Sequence, residues 1–153
     1  MGHDLDAEIY AKYADELVRF ASFLVGPSDG PDLVSSTVLR VLSSRSGTPV
    51  RNWRAYLYRA VLNEARMRHR QLSRHERAAA FAPPSQPVEA PEIGPEVLEA
   101  VARLSPRQRA VVFLTYWDDL APAAVASTLG LGEGSVRRHL ARARARLRRM
   151  LDE

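Results

Sequence analysis

There is no cysteine among the 153 residues. That excludes a disulfide framework and thiolate metal sites, and it fits a reducing compartment. No apolar run approaches the ~20 residues that a membrane span needs. The opening stretch "MGHDLDAEIY" is acidic and has no signal-peptide pattern. A cytoplasmic protein with no membrane partner is therefore expected. The four histidines, His3, His69, His75 and His139, show no metal-ligand spacing, and His69 and His75 do not share an i,i+4 face. A Gly-rich phosphate loop and a nucleophile elbow are both missing. The expectation is a protein that is not an enzyme, with no metal and no cofactor.

What the chain does have is hydrophobic mass, at 46% of residues, and positive charge in particular places. The net charge is only +4, from 22 Lys/Arg and 18 Asp/Glu. Residues 1–82 carry 12 Lys/Arg against 9 Asp/Glu, residues 83–104 carry 1 against 4, and residues 105–153 carry 9 against 5. Two basic segments thus flank an acidic one. Clustered basic charge points to a polyanionic partner, nucleic acid first. The bland alternative is a solvated helix face.

Hydrophobic spacing predicts an all-α chain in two small modules. Ile9, Tyr13, Leu17, Phe20 and Leu24 share one face of a first helix, which Gly26-Pro27 ends. A second helix starts at Pro31 and aligns Val34, Val38 and Val41. A loop over 43–52 leads to a third helix from Trp53 to the region of Arg77, with Trp53, Leu57, Ala60 and Val61 as its apolar stripe. "FAPPSQPVEAPEIGPE" follows, with five prolines in sixteen residues. No helix interior or central strand accommodates that density. The reading is a module over 1–78, a flexible acidic linker over 79–95 and a second module over 96–153. In the second module "SPRQ" carries a capping box with Pro106 at the first helical position. "PAAVASTL" is a short helix closed by Gly130, and a last helix follows.

The stretch Gly134 to Leu151 holds seven arginines and no acid. At about 100° per residue, Val136, Leu140, Ala143, Leu147 and Met150 fall within an arc of roughly 80°, with Leu151 beside them. The arginines cover the remaining faces. Like charges four apart repel by a few tenths of a kcal/mol per pair, so an anionic partner would offset a real cost. A short helix, a Gly turn and a second helix with a buried stripe is the helix-turn-helix plan. The start of the second helix reads base edges in the major groove. Ser135, Arg137, Arg138, His139 and Arg142 are the reading candidates, and Arg144, Arg146, Arg148 and Arg149 the phosphate candidates.

These residues resemble a known family. "LSPRQRAVVFLTYWDDLAPAAVASTLGLGEGSVRRHLARARARLRRML" is similar to the carboxy-terminal promoter-binding domain of extracytoplasmic-function (ECF) sigma factors of bacterial RNA polymerase. "YADELVRFASFLVG", "DLVSSTVLRVL" and "NWRAYLYRAVLNEARMRHR" resemble successive parts of the family's other domain. The resemblance implies binding to core RNA polymerase and promoter DNA, with an anti-sigma protein as a further partner. It implies that the last helix reads the minus-thirty-five element as duplex. Asp32, Leu33, Thr37 and Arg40 would dock on the polymerase. Arg51, Asn52, Trp53, Arg54, Tyr56, Asn63, Arg66 and Arg70 would hold the minus-ten element. Aromatics interleaved with arginines, Trp53, Tyr56 and Tyr58 among them, suit a single strand. Trp53 equally fits the core, since it lies on the apolar stripe.

The chain departs from the family at Ser35-Ser36, where acids and amides are usual, which puts the strength of clamp docking in doubt. Tyr56 stands where Trp is common. Ala121 and Gly132 stand where Ser or Thr often caps the two helices of the helix-turn-helix. Two rivals remain at this point: a helix-turn-helix regulator that never joins polymerase, and a sigma-like decoy. A receiver domain of the kind carried by response regulators needs strands, and the first module offers none.

Overall fold

In the computed structural model, residues 2–44, 49–81 and 94–152 are described, and all of their regular structure is helical. Helix α1 spans Gly2–Val25, α2 Gly30–Ser44, α3 Trp53–Gln71, α4 Arg74–Ala80, α5 Pro95–Ala102, α6 Pro106–Tyr116, α7 Pro122–Leu129 and α8 Glu133–Leu151. Most of the proline-rich segment, residues 82–93, lies outside the described residues.

The first half is built on the stripe seen in the sequence. Ile9, Leu17, Phe20 and Leu24 of α1 are buried against Leu33, Val34 and Val38 of α2 and Leu57, Val61 and Leu62 of α3. The α1–α2 corner needs glycine at position 26. Its φ is +104°, and a Cβ there would stand 1.9 Å from the carbonyl oxygen of Ala80. The end of α1 thus turns directly against the end of α4.

The expected single helix from Trp53 to the region of Arg77 is two helices. The chain leaves α3 at Leu72, which is extended at φ −90° and ψ 144°. Ser73 then starts α4 with a reciprocal cap: Glu76 N donates to Ser73 Oγ at 3.1 Å, and Ser73 N donates to Glu76 Oε1 at 3.2 Å. That cap satisfies the free donors of a new helix start, so a break here costs little. The break folds α4 back, and Arg77 donates to Nε2 of His69 at 2.6 Å.

His69 is therefore neutral. Burial, then the Arg77 and Arg109 cations, push its pKa down to about 4. In an unfolded chain the ring titrates near ~6.5, so protonation favours unfolding. Its contribution to stability is full above that value and is lost as pH falls toward 4. The melting temperature should drop over this window, and it should drop less in a His69→Gln chain, which keeps an acceptor. Equal drops in the two chains would remove His69 as the cause.

The second half packs onto the first, and one apolar core runs through both. Helix α6 lies against α1, α3 and α8, and α7 lies against α3 and α8. Phe113 of α6 meets Phe20 and Phe23 of α1, each at 5.5 Å between ring centroids. Trp117 stands 5.0 Å from Phe23. Arg109 is the deepest charge, 2% exposed. It donates to the carbonyls of Val101 at 3.0 Å, Ala102 at 2.8 Å and Leu24, and its guanidinium lies 4.7 Å from the Phe81 ring centroid. Those carbonyls end α5 and α1, where helices have acceptors to spare and a negative dipole end.

Candidate nucleic-acid interface

The helix-turn-helix forms as the sequence implied. Helix α7 closes on Gly130 in the left-handed region, φ +68°, whose N–H donates to Ala126 O. Leu131 N also donates to Ala126 O, at 3.0 Å, which turns the chain into α8. Neither Ala121 nor Gly132 supplies a side-chain cap. Ser105 and Gln108 do form the expected capping box at the start of α6. Val136, Leu140 and Ala143 of α8 are buried and Leu147 packs beside them, but Leu151 is 48% exposed. The wheel placed Leu151 next to the packed stripe; in the structure it stands half open to solvent.

The α8 arginines sort by what they touch. Arg137 pairs with Glu133 at 2.7 Å, one turn back. Arg138 donates to Ser135 Oγ at 3.1 Å. Arg142, Arg148 and Arg149 are exposed, while Arg146 is half-buried. Arg144 donates to the Tyr116 hydroxyl at 2.7 Å, so it is steadied by α6. His139 is half-buried with Nδ1 shielded from solvent and unpartnered. Burial, then Arg107, Arg142 and Arg138, lower its pKa. A neutral ring in that position offers a base edge less than Arg138 and Arg142 do.

On the first half, α3 begins with Asn52 as its N-cap, and Ala55 N donates to Asn52 Oδ1 at 3.0 Å. The Asn52 side-chain oxygen is thus occupied within its own helix. Arg51 and Asn63 are exposed, and Tyr56 is 43% exposed. Trp53 is half-buried, packs on the core and sits edge-on to Tyr56 at 5.9 Å. Tyr58 is fully buried 4.5 Å from Phe20, so that tyrosine is core. Burial first, and the Glu16 carboxylate with it, hold its hydroxyl above the usual tyrosine range.

Arg54 is held by the other half of the chain as well as its own. It donates to Glu16 and to Asp118, each at 3.0 Å, and lies 4.5 Å from the Tyr58 ring centroid. Arg59 reaches the last carbonyls of α7, Ser127 at 2.6 Å and Thr128 at 3.2 Å. Arg54, expected to hold a single strand, and Arg59 on the same helix are therefore both engaged by the second half. Sequence spacing carries no signal for either contact, because the partners lie more than sixty positions away.

On α2, Asp32 and Arg40 are exposed, and Arg40 is paired with Glu64. Leu33 and Thr37 point the other way: Leu33 is in the core, and Thr37 is fully buried with no partner for Oγ1. The surface of α2 open to a protein partner is Asp32, Ser35, Ser36, Leu39 and Arg40. Leu39 is 69% exposed, and the sequence reading did not single it out. Ser36 Oγ is turned back onto the Asp32 carbonyl at 3.0 Å. Among the described residues no cluster of three or more His, Asp or Glu is placed to hold a metal, and no helix is long and apolar enough to cross a membrane.

Comparison with known proteins places this geometry. The Sigma-70 region 4 family matches residues 95–147, which contain the helix-turn-helix. A protein named RNA polymerase sigma-E factor from Streptomyces coelicolor is 31% identical over 99% of this chain and 89% of its own length. The ECF RNA polymerase sigma factor SigE of Mycolicibacterium smegmatis is 29% identical over 92% of this chain and 59% of its own length. Among solved structures, CnrH in complex with the cytosolic domain of CnrY superposes with a TM-score of 0.64 and 28% identity, covering 98% of this chain and 89% of that one. RpoE of Bartonella quintana, bound to the anti-sigma factor NepR, gives the same TM-score at 23% identity, which speaks to the fold.

Proposed function

This chain belongs to the extracytoplasmic-function group of RNA polymerase sigma factors, and from that premise we propose that it binds core RNA polymerase, brings it to specific promoters and assists their melting. The observation that carries this reading is α8. It buries one stripe against α6 and α7 and presents Arg137, Arg138 and Arg142 outward at the start of a recognition helix. Those residues, with Ser135 and His139, take the minus-thirty-five duplex, and Arg144, Arg146 and Arg148 hold its phosphates. The first half, residues 1–78, takes the minus-ten strand along α3 through Arg51, Asn52, Trp53, Arg54, Tyr56, Asn63, Arg66 and Arg70. Asp32 and Arg40 on α2 meet the polymerase, with Leu39 beside them. Leu33 and Thr37 act from beneath, by fixing α2 on α1. The two halves part on promoter DNA, because Arg54 and Arg59 cannot hold Asp118 and α7 and a DNA backbone at once.

The test is reconstitution. The chain is mixed with core polymerase freed of sigma and with fragmented genomic DNA, and transcript starts are sequenced. Discrete starts that share two spaced motifs are expected. Binding to core with no starts would favour a decoy. DNA binding without core binding would favour a free regulator. Within the site, Arg138→Ala should cost about 1–3 kcal/mol of promoter binding and relax one base preference. An equal loss on every sequence would make Arg138 a phosphate contact.

A further inference from the structure

A cleft among the described residues is lined by three guanidinium groups and a histidine that the promoter reading leaves unused. It measures about 240 Å³ with its mouth, and it lies where the end of α1, the α3–α4 break and Arg109 of α6 meet. Arg68, His69, Arg77 and Arg109 supply its polar wall, and Leu24 and Phe81 belong to its apolar one. Direct contacts hold these groups together. Arg77 Nη1 stands 2.6 Å from His69 Nε2. Arg109 donates to the Leu24 carbonyl and lies over the Phe81 ring. Arg68 Nη2 pairs with Asp29 at 2.8 Å, but its Nε is shielded from solvent and has no hydrogen-bond partner. Asp29 is the one carboxylate among the described residues within ion-pair distance of any of the three arginines. Three cations thus share one cleft with one acid, whereas Arg54 alone meets two carboxylates. His69 accepts from Arg77 and adds no charge. A shielded donor without a partner and two cations without a carboxylate are costly unless something in the cleft accepts from them.

We propose that this cleft is a binding site for one small oxyanion of the phosphate class. The planar fork of arginine matches such an ion, which accepts from several N–H groups at once. Arg68 Nε offers a free donor. Arg77 and Arg109 each keep N–H groups beyond those their present partners take. The apolar wall lowers the local dielectric, which strengthens each charge-assisted bond. Arg68, His69 and Arg77 come from the first half of the chain and Arg109 from the second. A bound ion therefore ties α6 to α3 and α4, and it stabilises the packed arrangement over the parted one. None of these four residues is assigned to promoter DNA or to polymerase, so the site stands apart from the initiation reading.

The experiment melts the full chain in an organic buffer while sodium phosphate replaces sodium chloride at fixed ionic strength. A ligand of the folded state stabilises it by the logarithm of its excess over Kd. For a millimolar Kd and about 20 mM phosphate, the melting temperature should rise by about 4 °C. Arg68→Gln and Arg77→Gln should each reduce the rise to about 1 °C or less. Arg103→Gln, at an exposed arginine outside the cleft, should keep it in full. The general stabilising effect of phosphate acts on every variant alike and cancels in this comparison. Melts in chloride alone check that each variant folds. The imidazole proton spectrum gives a readout on the parent chain, with His69 assigned by the signal missing from His69→Gln. Phosphate should shift the His69 signals more than those of His139, and this readout decides if a cleft variant fails to fold. No rise in the parent overturns the proposal, and so does an undiminished rise in both cleft variants. A shift at His139 without one at His69 overturns it too, because the ion would then sit on α8.

Discussion

Replacing Arg109 by methionine should cost about 3 kcal/mol or more, from three buried carbonyls losing their donor at roughly 1–3 kcal/mol each. Methionine keeps the unbranched stem but ends where Nε stands, so the space left by the rest of the guanidinium adds to the lost hydrogen bonds and charge. Arg109 is 2% exposed and donates to Val101, Ala102 and Leu24, the carboxy-terminal turns of α5 and α1. Burial, then Arg77 and Arg146, push its pKa down to about 9, which leaves it charged at neutral pH. What holds a buried cation without a carboxylate is the negative end of two helices plus the face of Phe81. Since small proteins are stable by only about 5–15 kcal/mol, this is a large share of the total. A urea melt reads it directly. Arg109→Lys, one ammonium in place of a planar fork, should fall between parent and methionine. A methionine chain within about 1 kcal/mol of the parent would mean that water replaces the guanidinium at all three carbonyls.

Much of this fold can be read before any coordinates. The i, i+3, i+4 spacing of Ile9, Leu17, Phe20 and Leu24, the Gly26 corner, the Ser105–Gln108 box and the Gly130 turn all appear as expected. These are local rules, each settled within a few residues. The α3–α4 break was equally legible, since Ser73 and Glu76 spell a capping box, but the basic run around it reads as one continuous helix. The docking of the halves was not legible. Arg54 to Asp118, Arg59 to Ser127 and Arg109 to Leu24 span 64, 68 and 85 positions. No periodicity encodes such pairs; they follow from which apolar faces remain uncovered after each half has folded. Leu33 and Thr37 failed as surface residues for a related reason: a motif fixes position along α2, while packing on α1 decides which side faces out.

Trp117→Ala combined with Asp118→Lys should open the molecule and raise its affinity for a single-stranded minus-ten oligonucleotide about tenfold. The argument begins with how the halves are held. Trp117 stacks on Phe113 with planes 5° apart and touches Phe23, and Asp118 is the only partner of Arg54 contributed by the second half that the described residues show. Asp118 and Arg54 are partly exposed, so the ion pair itself contributes no more than about 1 kcal/mol. Lysine at 118 turns attraction into repulsion, and removing the indole withdraws a side chain that is 40% exposed and so contributes only part of the roughly 1.5–3 kcal/mol of full burial. The two together weaken the contact between the halves, and apparent affinity rises as the competent fraction rises. Scattering should show a larger radius of gyration, and anisotropy the tighter single-strand binding, in the same preparation. Opening without any gain for the single strand would show that Arg54 and Arg59 do not contact it. Gain without opening would show that the packed form already exposes the strand site, through Tyr56 and Arg51, and that the two halves need not part for DNA to enter.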